Sequence, residues 1–78
     1  MRAQILLKTA LYRGRFGPDQ IEIKGSVMEV RGTIEVRDGG LDVVVSSLHD
    51  ERGRTVEAPF SRIFVPGSKI DFYVIEDE

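Results

Sequence analysis

From Gln20 onward, apolar and polar residues alternate with a period of two almost without interruption, which is the pattern of half-buried β-strands. Ile21 and Ile23 flank Glu22, predicting a short strand that stops at Gly25-Ser26. The clearest strand follows. It sets Met28, Val30, Gly32, Ile34 and Val36 on one face against Glu29, Arg31, Thr33, Glu35 and Arg37 on the other. Gly32 empties the middle of the inner face, where a strand in a tightly curved barrel must bend hard. Asp38-Gly39-Gly40 is a hairpin turn leading into a strand from Leu41 to Leu48, whose Val43-Val44-Val45 is apolar on both faces and hence central. Asp50-Glu51-Arg52-Gly53 turns the chain into Thr55 to Val65, with a bulge or strand switch expected at Pro59.

The chain closes on two more strands. Ile63 and Val65 alternate with Arg62 and Phe64, Pro66-Gly67 interrupts, and then Ile70, Phe72 and Val74 oppose Asp71, Tyr73 and Ile75. Both strands are apolar on both faces, so a partner chain is expected to cover them. At the other end the pattern is open to two readings. Ala3, Leu6, Leu7, Ala10 and Leu11 fall on one stripe of a short helix, whereas Ile5, Leu7, Thr9 and Leu11 alternate as a strand would. Gly17-Pro18-Asp19 forces a turn after either. The fold class is therefore all-β, or small α+β if the helix forms: a five-stranded, strongly bent barrel of the SH3-like or OB type.

Length and charge narrow this further. The 78 residues make one domain, 1–78, near the lower size limit for a self-sufficient core, and no cysteine is present to staple it. Oligomerisation is the remaining remedy. No apolar run approaches a membrane span and no signal-peptide pattern opens the chain, so a soluble, cytoplasmic protein is expected. The net charge of −2 divides into +3 over residues 1–24 and −5 over residues 25–78, which argues against indiscriminate polyanion binding.

Candidate chemistry is sparse. Ser46, Ser47, His49 and Asp50 are the residue types of a hydrolytic triad, but their closeness in sequence favours a solvated strand end, and no enzyme is expected. His49 has no second histidine or cysteine to share a metal ion. No cofactor, metal or small-molecule substrate is expected. Gly14-Arg15-Phe16-Gly17, with Tyr12 beside it, and Arg52-Gly53-Arg54 read either as turns or as basic nucleic-acid contacts. Glu76-Asp77-Glu78 reads as a solvated end.

One resemblance gathers these pieces. Gly32-Thr33-Ile34, Asp38 and Leu41-Asp42-Val43-Val44-Val45, followed by Arg62-Ile63-Phe64-Val65-Pro66-Gly67-Ser68-Lys69-Ile70, is similar to the two-part signature of the Sm and Sm-like (LSm) proteins. The closing run resembles the D-type core Sm proteins most. The resemblance spans roughly Ala3 to Ile75. It implies a homo-oligomeric ring of five to seven copies, closed where the fourth strand of one subunit pairs with the fifth of the next. Ile63, Phe64, Val65, Ile70, Phe72, Tyr73 and Ile75 then form the subunit interface. It also implies single-stranded RNA bound in the ring's hole by Asp38, Leu41, Asp42, Pro66, Gly67, Ser68 and Lys69. Two positions depart from the family: Asp42 stands where its base-binding asparagine would be, and Pro66 where its base-holding arginine would be. A carboxylate donates no hydrogen bond and repels phosphate. The alternative is an oligomeric small barrel that binds no nucleic acid and acts as a structural or protein-interaction module.

Overall fold

A computed structural model describes residues 1–11, 14–16, 21–23 and 26–76. The strands are β1 (Arg2–Leu11), β2 (Gly14–Phe16), β3 (Ile21–Ile23), β4 (Val27–Arg37), β5 (Gly40–His49), β6 (Thr55–Val56), β7 (Arg62–Pro66) and β8 (Ile70–Glu76), with a single 3₁₀ turn, Gly67–Lys69, between the last two. The expected turn at Gly17-Pro18-Asp19 lies outside the described residues, as do Tyr12 and the final Asp77-Glu78.

Every pairing is antiparallel. The main sheet runs β6-β5-β4-β1-β8, with β7 joining β6 along the outer edge of β5; β2 and β3 form a separate two-stranded ribbon. The last strand thus returns to the first. Among the described residues the sheet does not close, because β7 pairs only with β5 and β8 only with β1. Among the described residues no helix is long and apolar enough to cross a membrane.

The N-terminal segment is a strand, and the helical reading of Ala3 to Leu11 is corrected. Its buried side chains are Ala3, Ile5 and Leu7, a period of two, while Leu6 is only half-buried. Pairing on both sides explains the outcome: β4 and β8 flank β1 and take up its backbone groups, which outweighs a weak local preference.

Two register breaks shift the expected faces. The β1–β4 register changes between Leu6 and Leu11, and the inner face of β4 is Val27, Val30, Gly32 and Ile34, with Met28 only half-buried and Val36 exposed. In β8, Ile70 pairs with Leu7 and Phe72 with Leu6, so a bulge falls at Asp71. Ile70 therefore shares the core face with Tyr73 and Ile75, not with Phe72 and Val74. Glycine is required at residue 32 for close approach: a Cβ there would lie 2.1 Å from the carbonyl oxygen of Val44, so β4 and β5 approach as closely as they do only without a side chain.

Ile5, Val27, Val30, Val43, Leu48 and Val65 form the fully buried core. None comes from β8. Phe72, Tyr73, Val74 and Ile75 are 39–52 % exposed, and Phe64 on β7 is 49 % exposed.

Candidate functional site

Two turns meet at one end of the sheet. The Asp38-Gly39 turn joins β4 to β5, with Gly39 at φ 83°, and the Gly67–Lys69 turn joins β7 to β8. Gly67 N–H donates to the carbonyl of Gly39 at 2.8 Å, and Gly40 pairs with Pro66. A Cβ at Gly40 would fall 2.2 Å from the Val65 carbonyl oxygen, so this junction needs glycine. Asp38, Asp42, Pro66, Gly67, Ser68 and Lys69 are thus gathered here from two distant stretches. Leu41 differs from them: its side chain is buried in the core beside Val65.

Asp42 and the cations at this end are already engaged. Arg62 on β7 crosses to β5 and donates from Nε and Nη2 to the two carboxylate oxygens of Asp42, at 2.9 and 2.6 Å. This hydrogen-bonded arginine holds the Asp42 carboxyl below the usual range, and Arg37, whose Nε lies 3.8 Å away, acts in the same direction. Arg37 also pairs with Glu35 at 3.1 Å. Lys69 Nζ donates to Thr9 Oγ1 on β1 at 2.9 Å, tying the turn to the first strand. Asp42 is thus a carboxylate whose charge is balanced by the arginines beside it.

Of the expected interface residues, Phe64, Phe72, Tyr73 and Ile75 are exposed, whereas Val65 is buried and Ile63 and Ile70 pack half-buried on the chain's own core. Val74 was not singled out by sequence, yet it is as exposed as Ile75. Its signal was the period-two partnership with Phe72.

At the opposite end, His49 is buried, not solvated. Its Nδ1–H donates to the Gly53 carbonyl at 3.3 Å, leaving Nε2 to accept the Ser47 hydroxyl at 2.8 Å. The strand's period of two places Ser47 and His49 on one face. Asp50 does not join them. It accepts the Arg52 and Arg54 N–H groups, both at 2.9 Å, and Arg54 Nε at 3.0 Å. Those bonds, the Arg54 N–H foremost, hold its carboxyl below the usual range. The histidine thereby fastens the β5–β6 turn.

Compared with known proteins, the chain matches no family model, no curated protein and no solved structure.

Proposed function

We propose that this chain is the subunit of an Sm-like ring, assembling with copies of itself edge to edge. One observation carries the reading: β7 and β8 are open edges at opposite ends of one bent sheet, and both bear exposed apolar side chains. Two different edges that fit each other make a head-to-tail contact, which closes into a ring when the rotation per subunit divides a full turn. The return of β8 to β1 and the short turn after β7 further support a small, five-strand barrel core built from β1, β4, β5, β7 and β8. Each of these half-exposed apolar side chains, moved fully out of water, contributes ~0.7–1.5 kcal/mol, and several together are enough to stabilise a marginal 78-residue domain by association. Size-exclusion chromatography with light scattering tests this; a strict monomer at micromolar concentration would remove it.

Single-stranded RNA at the Gly39–Gly67 junction is the expected cargo, because that junction gathers the residues the family resemblance singles out. The grip of Arg62 on Asp42 favours a second reading, a ring serving as a structural or protein-interaction module, since the cations at this end already have partners. Titration with short U-rich oligonucleotides at two salt concentrations separates the two. Binding with log affinity falling against log salt supports the first, and no binding at low salt supports the second.

A further inference from the structure

Strand β5 carries a serine and a histidine side by side on the sheet face turned away from the core. Ser47 is opposite Arg31 and His49 opposite Glu29, while Leu48 between them points inward across from Val30. The ladder slips just before this pair. Gly32 faces Val45 and Arg31 faces Ser47, so Ser46 has no residue opposite it. A bulge of this kind twists its strand and re-aims the side chain that follows.

Three groups then stand in the order nucleophile, base and orienter. Gly53 lies in the turn that folds back over His49, and its carbonyl accepts the Nδ1–H at 3.3 Å. That bond fixes the tautomer and leaves the Nε2 lone pair facing the Ser47 hydroxyl at 2.8 Å. A backbone carbonyl thus takes the place that a carboxylate holds in a hydrolytic triad. Negative charge that favours an imidazolium comes from the next strand, where Glu29 is directly opposite His49. Arg31 Nε donates to that Glu29 carboxylate, which keeps a guanidinium on the strand position across from Ser47. A cation beside the nucleophile favours the charge that an acyl oxygen gains on attack.

Exposure divides the roles. His49 is only 8 % exposed, so its ring is held in one arrangement, whereas Ser47 is half-buried and reaches the surface. The chain's one histidine is committed to Ser47, so the exposed Ser46 has no imidazole to activate it.

We infer that Ser47 is an activated nucleophile, with His49 as its general base, and takes the acyl group of small activated esters at the outer face of the sheet. Ser47 Oγ bonds to the ester carbonyl carbon as its proton passes to His49 Nε2. The tetrahedral intermediate collapses by breaking the bond to the alkoxy oxygen, which leaves as an alcohol with the proton from Nε2. Water, giving a proton to the same nitrogen, then adds to the acyl-serine. Ser47 departs with that proton and a carboxylic acid is released. Val44 is exposed on the same open face, so the ester is selected by reactivity more than by shape.

The full chain mixed with p-nitrophenyl acetate is expected to release nitrophenolate faster than buffer does and to gain an acetyl group, which peptide mass spectrometry places on Ser47. Ser47→Ala should lower the protein-dependent rate roughly a hundredfold and abolish the adduct with the circular dichroism unchanged. Ser46→Ala should keep both rate and adduct. A fluorophosphonate probe, whose phosphorus takes the serine oxygen with loss of fluoride, reads the same activation without turnover. It should label Ser47 in the folded chain and not in urea. Acetyl groups confined to lysines or the N-terminal amine, a rate that survives Ser47→Ala, equal labelling in urea, or no reaction above buffer each overturn the inference.

Discussion

Arg62 and Asp42 are diagonal neighbours across β7 and β5, two residues out of register on one face of the sheet, and the guanidinium closes that offset by gripping both carboxylate oxygens. The pair neutralises the position at which the family resemblance expects a base-reading group. Asp42→Asn keeps a carbonyl acceptor for Arg62, removes the negative charge and restores an amide donor. U-rich oligonucleotide binding is expected to strengthen, with the log–log salt slope steepening by about one per cation set free. Unchanged binding and slope would show that RNA does not use this end of the sheet.

Acid should loosen the fold through the two depressed carboxyls. Asp42 is held below its ordinary 3.8 mainly by the Arg62 hydrogen bond, and Asp50 mainly by the Arg54 backbone N–H. A carboxyl with a lower pKa folded than unfolded contributes its stability fully above the unfolded value, and loses it as pH falls through the folded one. Thermal melts should therefore be level with respect to these groups above about pH 5 and decline below about pH 4. Asp50→Asn should flatten part of that decline; an identical acid profile would mean that Asp50 is not a contributor.

Gly32→Ala forces a methyl group against the Val44 carbonyl oxygen. The strands must separate, at a cost of roughly 1–3 kcal/mol or more. Gly39→Ala meets no atom within 4 Å but must hold φ 83°, costing about 1–2 kcal/mol. Urea titration of the two variants should rank Gly32→Ala as the more damaging, and the reverse order would place the strain in the turn.

Removing the His49 ring leaves the Gly53 carbonyl and the Ser47 hydroxyl without the partner they share. His49→Ala should cost about 1–3 kcal/mol, whereas Ser47→Ala should cost only about 0.5–1.5. Hydrogen exchange should quicken first at residues 50–54. Uniform quickening across the sheet would contradict a local fastening role.

Replacing Phe72 and Val74 together by serine alters side chains exposed in the subunit. The far-ultraviolet circular dichroism should stay the same while light scattering reports smaller species. Unaltered assembly would exclude β8's outer face from the joint.

Much of the fold was legible where one physical demand dominated. The alternation around Val30, Gly32 and Ile34 survives intact because β4 is flanked on both sides and has a single core face. At Ala3 to Leu11 two periods fitted the same residues, and only pairing with β4 and β8, distant in sequence, selected one. Bulges defeat period counting in a particular way. Asp71 turns Phe72 to the face opposite Ile70, and no local residue type announces it. At the candidate site, both the meeting of Gly39 with Gly67 and the Asp42–Arg62 grip depend on β5 and β7 being neighbours, which the turns alone do not announce. His49 was misjudged because burial by the Asp50–Arg54 turn is a property of the turn's path, not of the residues beside the histidine.

The tight crossing at Gly32 has one more consequence. It lies between the two open edges, in the strand that links the β1–β8 half of the sheet to the β5–β7 half. How sharply the strand curves there sets the angle at which one edge is offered relative to the other. In the head-to-tail assembly proposed above, that angle would contribute, together with the geometry of the joint, to the rotation from each copy to the next. Gly32→Ala, which forces β4 and β5 apart, is then expected to alter that rotation as well as the stability of the fold.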